Sequence, residues 1–160
     1  MQKPYHLLYP MRVVLVTSKH DKRENVMTAA WCFPLSMDPP LFGVSISKKR
    51  FSYSLISKEK SFAINLADGS MRDFVIGAGR TSGKDMGKEK DKFVEFGIEK
   101  EYGKLGIPLV KKSPSSIECK VVEEIELGDH VVFVGEAVNI IYRREGKGLY
   151  HKGGDEFFEI

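Results

Sequence analysis

The amino-acid sequence predicts a mainly β fold, an antiparallel β-barrel with short helical insertions, in one domain over residues 1–160. About seven stretches are rich in β-branched and aromatic residues and are bounded by turn signals, which is typical of strands. Only two short segments have a helical pattern. The first two strands are joined by a connection too short for the crossover helix that parallel strands need. This combination favours an antiparallel barrel over a fold built from βαβ units.

The predicted strands follow one another along the chain and alternate with charged or glycine-containing turns. They span residues 12–18, 25–33, 41–47, 61–66, 116–124 and 130–142, and residues 149–158 form a terminal hairpin around a Gly-Gly turn. Gly135 interrupts the longest of these strands, which predicts a β-bulge at that position.

Two short helices are predicted, at residues 51–58 and 71–76. Ser52 is the expected N-cap of the first helix, because a serine hydroxyl can accept from the first free N–H groups of a helix. Residues 77–83 are rich in glycine and predict a flexible loop. Residues 84–92 are almost all charged and predict solvated surface.

The composition argues against several classes of protein. The chain has 25 Lys and Arg against 22 Asp and Glu, and a net charge of +3 is too mild for a nucleic-acid-binding surface. The two cysteines, Cys32 and Cys119, form no CxxC pair, so we expect two free buried thiols rather than a metal or redox site. There is no signal-peptide core and no run of about 20 apolar residues that could span a bilayer, which predicts a soluble, cytoplasmic protein.

Residues 25–53 carry the clearest functional signal. Small and polar residues precede the only tryptophan, Trp31, and a proline-stiffened turn leads into an apolar strand that ends in hydroxyls and cations. Small side chains let a flat ligand approach the backbone, and a cationic turn can bind an anionic tail. The stretch therefore predicts a site for a planar, phosphorylated cofactor.

The cationic turn at 48–50 has two interpretations. In one, Arg50 binds a phosphate through its planar guanidinium, assisted by the hydroxyls of Ser47 and Ser52 and by N–H groups at the start of the following helix. In the other, the turn is a solvated strand end whose lysines block edge-to-edge pairing. Trp31 also has two interpretations. It packs near a ligand's ring system, or it is a core aromatic residue, which is the more frequent position of a lone tryptophan.

The remaining candidates are single residues without a catalytic pattern around them. The glycine-rich residues 77–83 do not fit GxGxxG, so Arg80 is either a ligand contact or a surface residue. His130 has no metal-like spacing to the other histidines. There is no GxSxG, no Cys–His pair and no obvious pair of catalytic carboxylates. An enzyme with this sequence would therefore rely on a cofactor for its chemistry.

Nine short motifs occur in order along most of the chain. They are VLVT at 14–17, NVMTAAW at 25–31, LSMDPP at 35–40, SISKKRFS at 45–52, FAIN at 62–65, GRTSG at 79–83, DKF at 91–93, IEC at 117–119 and GDHVVFVGE at 128–136. Together they resemble the flavin reductase-like family, whose members share an FMN-binding split β-barrel. The tryptophan at 31 resembles the flavoredoxin and archaeal FMN-protein branch, and it leaves open whether FMN is retained or exchanged.

The resemblance implies a homodimer with FMN near the subunit interface, and it assigns roles to residues by position. It places Thr28, Ala29, Ala30 and Trp31 along the isoalloxazine, Ser45, Ile46 and Ser47 as backbone contacts, Lys49, Arg50 and Ser52 around the phosphate, and Arg80 and Gly83 in a loop near the flavin. His130 is the candidate for positioning the nicotinamide or the flavin, and no other catalytic residue or metal ligand is assigned.

The implied function is an FMN-binding oxidoreductase that transfers hydride from NAD(P)H to flavin and passes electrons to a protein or small-molecule acceptor. Hydride transfer depends on proximity and orientation more than on a general base, which agrees with the missing acid–base constellation. The alternative is a non-enzymatic FMN electron carrier similar to flavoredoxin.

Overall fold

The structure, a computed structural model, describes residues 3–86 and 90–160. The strands in these residues are β1 (Met11–Arg12), β2 (Val14–His20), β3 (Arg23–Ala29), β4 (Cys32–Ser36), β5 (Leu41–Ser47), β6 (Ser61–Leu66), β7 (Lys100–Tyr102), β8 (Pro108–Val110), β9 (Ser115–Leu127), β10 (His130–Tyr142), β11 (Leu149–Gly153) and β12 (Glu156–Glu159). The α-helices are α1 (Phe51–Glu59), α2 (Arg72–Arg80) and α3 (Lys92–Glu95), and short 3-10 helices occupy Pro4–Leu8, Gly69–Met71 and Gly83–Asp85. None of these helices is long and apolar enough to cross a membrane.

The strands form three antiparallel sheets. The largest has seven strands in the order β3-β2-β6-β9-β10-β5-β4, and two smaller sheets have the orders β1-β11-β12 and β7-β8. The mainly β, antiparallel fold predicted from the sequence is confirmed. The terminal hairpin is confirmed as well: β11 and β12 pair across a turn in which Gly153 and Gly154 both have positive φ.

The large sheet must curl, because its two edge strands are consecutive in the chain. β3 and β4 lie at opposite edges, yet only Ala30 and Trp31 separate them. Three Cα–Cα steps span at most about 11 Å, so the edges meet at these two residues. The N–H of Ser45 donates to the Trp31 carbonyl at 2.9 Å and holds this junction against β5.

Apolar side chains pack on both faces of the curled sheet. Successive residues of a strand point to opposite faces, and β2 shows the consequence. Val14 and Val16 belong to a cluster that includes Phe133 of β10, whereas Leu15 packs in a second cluster with Phe74 of α2. Burial on both faces explains why this segment is a continuous apolar run rather than an alternating one.

Gly135 marks the predicted irregularity in β10. The pairing of β10 with β9 shifts register between Val134 and Gly135, which confirms the bulge. A Cβ at Gly135 would lie 2.6 Å from the Cβ of Cys119 and 2.6 Å from the ring of Phe62. The side chains of Cys119 on β9 and Phe62 on β6 approach β10 so closely here that only glycine fits.

Several local predictions were wrong. The stretch 25–33 is not one strand but the end of β3, the junction and the start of β4. The helix predicted at 71–76 extends as α2 to Arg80, so residues 77–80 of the predicted loop at 77–83 are helical. Ser52 is not the N-cap of α1: Arg50 takes that position without a side-chain cap bond.

The segment 84–92 was predicted to be solvated surface, and this prediction is wrong for Lys92, which lines the candidate functional site. Lys92 is buried, with 3% of its surface exposed. Residues 87–89 of the same segment lie outside the described residues.

Candidate functional site

A cavity of about 600 Å³ lies where the two edges of the large sheet meet, a volume typical of small-molecule sites. Predicted site residues line it: Thr28, Ala29, Ala30, Trp31, Ser45, Ile46, Ser47, Lys49, Arg50, Ser52, Gly83 and His130. The fold brings these together because the end of β3, the junction and the end of β5 meet at this point. Further lining residues were not predicted: Lys3, Tyr5, Tyr9, Asn25, Met27, Phe51, Thr81, Ser82, Lys92 and Asp129.

Arg80 is the predicted site residue that does not line the cavity. It ends α2, is two-thirds exposed in its side chain, and pairs with Asp155 in the turn between β11 and β12. Gly83, from the same predicted loop, does line the cavity. The structure therefore separates the two residues that the sequence motif had placed together.

The turn between β5 and α1 supplies exposed cations. Arg50 and Lys49 both line the cavity, and neither forms an ion pair with any residue in the described ranges. Lys48 differs, since it pairs with Glu126 on β9 and does not line the cavity. The N–H groups of Phe51 and Ser52 begin α1 at the same turn and have no acceptor within the helix, whereas that of Tyr53 donates to the Arg50 carbonyl. This arrangement suits an anion.

Asn25 presents an unsatisfied acceptor to the cavity. It is 2% exposed, and its Nδ2 donates to the Ser52 hydroxyl at 2.9 Å. Its Oδ1 is buried without a hydrogen-bond partner among the described residues. A Cβ on Gly83 would lie 2.3 Å from that oxygen, so glycine is required beside it. A buried acceptor left unpaired costs about 1–3 kcal/mol, so this oxygen is a candidate acceptor for a ligand donor.

Lys92 adds a buried cation to the cavity. Its ammonium donates to the carbonyl oxygens of Val26 and Ala78, both at 2.8 Å, and so retains a third donor. Burial, and to a smaller extent the nearby charge of Arg50, lower the pKa of Lys92 to about 8. Lys92 bonds to Val26, and the adjacent Asn25 bonds to Ser52, two residues after Arg50. Lys92 and Arg50 therefore lie at the same end of the cavity. We call Lys49, Arg50 and Lys92 the cationic end.

The sequence analysis did not identify Lys92 as a site residue. Its one available signal was the motif at 91–93, which carried no assigned role. A lysine in a charged run is normally solvated, and its burial here depends on carbonyls from β3 and α2.

Four aromatic side chains form another part of the lining, which we call the aromatic wall: Tyr5, Tyr9, Trp31 and His130. The Trp31 ring centroid is 5.3 Å from that of Tyr5, edge-on at 78°, and 4.9 Å from the His130 ring at 34°. His130 Nδ1 contacts Asp129 Oδ1 at 2.7 Å, and that hydrogen bond lowers the pKa of the exposed Asp129 carboxyl. Trp31 is half-buried and faces the cavity, so it is not a fully buried core residue.

The cysteines lie away from this site. Both are free, Cys119 is buried, and Cys32 is half-buried and packs against the same core cluster. Burial raises the pKa of each thiol to about 12, so both stay protonated at neutral pH. Within residues 3–86 and 90–160, no group of three or more His, Cys, Asp or Glu side chains is placed to hold a metal ion.

Comparisons with known proteins agree with one another. A family model described as flavin reductase like domain matches residues 6–158. An uncharacterized protein of Pyrococcus abyssi is 38% identical over 141 residues, covering 88% of this chain and 79% of that protein. The ferric-chelate reductase (NAD(P)H) of Archaeoglobus fulgidus is 29% identical over 128 residues, covering 78% of this chain and 72% of the reductase.

A solved structure gives the same result for the fold. The crystal structure of an FMN-binding protein from Thermus thermophilus with bound 1-cyclohex-2-enone superposes with a TM-score of 0.86 and 27% identity, covering 99% of this chain and 93% of that one. This likeness confirms the predicted split β-barrel.

Proposed function

The chain belongs to the flavin reductase-like family, and from this we propose that it is an FMN-binding oxidoreductase that takes electrons from NADH or NADPH. The observation that supports FMN most directly is the composition of one cavity, in which a cationic end and the unsatisfied Asn25 oxygen lie together. The Thermus thermophilus relative is an FMN-binding protein, and the Archaeoglobus fulgidus relative is named for NAD(P)H.

The residues of the cavity fit the chemistry of FMN. Its phosphate is an anion, and Arg50, Lys49 and the N–H groups of α1 are donors that can bind it. Its ribityl chain and ring carry hydroxyl and N–H donors that can pair with Asn25 Oδ1. The small side chains of Ala29 and Ala30 leave room for a flat ring against the backbone.

Bound FMN would supply the redox chemistry, accepting hydride from a nicotinamide and giving electrons to an acceptor. The protein's own contribution is binding and orientation. Thr28 donates its hydroxyl to the Val75 carbonyl, so toward the cavity it can act only as an acceptor. Trp31 and His130 provide ring faces against which a planar group can pack. Proximity and orientation alone can lower a barrier by several kcal/mol, so no general base is required.

Reduction by nicotinamide tests this function. We expect the FMN-loaded protein to be yellow and to lose its flavin absorbance under anaerobic mixing with NADH or NADPH, whereas the flavin-free protein should leave the nicotinamide unchanged. A yellow protein that neither nicotinamide reduces would favour the electron carrier. A protein that binds no FMN would contradict both functions.

We also infer that the chain forms a homodimer. The support is a group of large apolar side chains exposed on the β9–β10 hairpin: Val122 and Leu127 are 53% and 56% exposed, and Ile140 is 66% exposed. These side chains are distributed along the hairpin, because Leu127 lies beside its turn and Ile140 pairs with Ile117 near its open end. Apolar surface exposed along the length of one element is typical of protein interfaces. Sedimentation should give twice the 18.1 kDa chain mass, and Ile140→Glu should shift the protein toward monomer. A wild-type monomer at high concentration contradicts the inference.

A further inference from the structure

The position of the Lys92 ammonium depends on a helix that is too short to be stable by itself. Lys92 is the first residue of α3, which has four residues. Isolated helices shorter than about 12–15 residues are marginal in water, so contacts with other elements must hold α3 in place. Whatever fixes the start of this helix also fixes the buried ammonium relative to the cavity.

Lys100 of β7 contacts the residues on both sides of Lys92. Its ammonium donates to Asp91 Oδ2 at 3.2 Å and lies 5.2 Å from the ring centroid of Phe93. The other carboxylate oxygen, Asp91 Oδ1, accepts from the N–H of Val94 at 2.9 Å and caps α3. One carboxylate therefore holds the start of the helix through a cap and an ion pair together.

The same lysine joins α3 to β3. Lys100 Nζ donates to Glu24 Oε2 at 2.6 Å, and two positions further along β3 the Val26 carbonyl accepts from Lys92. Lys100 and Lys92 thus connect the same two elements at neighbouring points. We call Glu24, Asp91 and Lys100 the ionic clamp. None of these three residues lines the cavity.

The ionic clamp is partly shielded from solvent. The side chains of Glu24 and Lys100 are 10% and 28% exposed, and ion pairs removed from water are screened less than exposed ones. Glu24 and Asp91 contact one ammonium, so their carboxylates lie close together. Without that ammonium the two like charges would repel each other and push α3 away from β3.

On the basis of the proposed function, we propose that the ionic clamp positions Lys92 and thereby makes the cavity selective for FMN over riboflavin, which lacks the phosphate. The clamp holds α3 against β3, so that the Lys92 ammonium keeps its two carbonyl partners and presents its remaining N–H to the phosphate. Glu24, Asp91 and Lys100 are positioning residues: they act through Lys92 and do not touch the ligand.

The test compares the dissociation constants of FMN and riboflavin, measured by flavin fluorescence with the flavin-free protein near neutral pH. We expect Lys100→Met to raise the dissociation constant of FMN about fivefold and that of riboflavin less than about twofold. Lys100→Arg keeps the cation and should stay within about twofold of the wild type for both flavins. The matched control is Lys111→Met, which breaks the exposed pair with Glu99 and should change neither constant by more than about twofold.

Asp91→Asn separates positioning from net charge. Asparagine is also a good N-cap, so α3 keeps its cap while the ion pair with Lys100 is lost. This variant removes a negative charge, which by itself would strengthen the binding of an anion, whereas Lys100→Met removes a positive one. The ionic clamp predicts weaker FMN binding in both variants, by about threefold for Asp91→Asn. This milder variant also decides the question if Lys100→Met does not fold.

A double-mutant cycle tests whether the clamp acts through Lys92. If it does, adding Lys100→Met to Lys92→Met should raise the dissociation constant of FMN by less than about a further twofold, because coupled residues are not additive. The riboflavin comparison tests the same point without the Lys92 variant.

The outcomes separate this proposal from the proposed function. If Lys100→Met leaves FMN binding unchanged, or weakens FMN and riboflavin equally, the clamp does not position Lys92 and the proposed function stands. If Asp91→Asn strengthens FMN binding, net charge explains the effects and the clamp is again wrong. If the double variant shows the full additional loss, Lys100 acts independently of Lys92. If the wild type binds neither flavin, the proposed function itself fails.

Discussion

Arg50→Ala should raise the dissociation constant of FMN at least about tenfold, or about 1.4 kcal/mol. Arg50 lines the cavity, forms no ion pair with a described residue, and stands at the N-terminus of α1. A hydrogen bond to a charged group contributes about 1.5–3 kcal/mol, so removing the guanidinium takes away one or two such bonds. Fluorescence titration of the flavin-free protein measures the effect.

The neighbouring residue Lys48 provides the matched control. It belongs to the same cationic turn, but its ammonium pairs with Glu126 and it does not line the cavity. Lys48→Ala removes the same formal charge from the turn. It should change FMN affinity by less than about twofold, because Lys48 does not line the cavity and the loss of an exposed ion pair changes the stability of the turn little. If the two variants weaken FMN equally, the effect is one of general charge, and Arg50 has no specific role at the phosphate.

Lys92→Met should weaken FMN binding at neutral pH and remove a pH dependence that the wild type shows. The pKa of Lys92 is lowered to about 8 by burial, so the ammonium is charged below that pH and neutral above it. A phosphate favours the charged form. The wild-type dissociation constant should therefore rise by up to about tenfold between about pH 7 and about pH 9, whereas that of Lys92→Met should stay flat.

Binding of riboflavin shows whether the pH dependence of the dissociation constant arises at the phosphate or at the ring. It carries the same isoalloxazine without the phosphate, so any titration of the ring affects both flavins alike. We expect the pH dependence with FMN and not with riboflavin. Lys92→Met leaves the carbonyls of Val26 and Ala78 without their donor and could be unstable for that reason. The comparison of the two flavins does not depend on that variant, because it uses wild-type protein only. Equal pH dependence for both flavins would place Lys92 away from the phosphate.

The secondary structure was largely predictable because its determinants are local. The strand patterns around β2, β5 and β10 are short-range features, and Gly135 correctly signalled a bulge. The cavity residues of β3 and β5 could be named because they lie in one continuous stretch, with small residues and a cationic turn readable in order. Their roles in binding FMN stay predictions until the titrations are done.

What the sequence could not predict depends on contacts between distant segments. The break at Ala30 and Trp31 follows from the chain passing from one edge of the sheet to the other. Lys92 lies in a charged run whose local pattern is that of solvated surface, and its burial depends on carbonyls 66 and 14 positions away. No local pattern connects Tyr5 with Trp31, which meet only in the folded chain.

The sequence by itself determined the class of fold, the succession of strands and the stretch between β3 and α1 that carries the small, hydroxylic and cationic residues. These follow from residue types and their spacing. The tertiary structure alone decided that the sheet curls until its edges meet, and that a buried ammonium, an unpaired amide oxygen and an aromatic wall converge on the resulting cavity. The physical reason is that burial and pairing are properties of neighbours in space, and the closing of the sheet selects those neighbours.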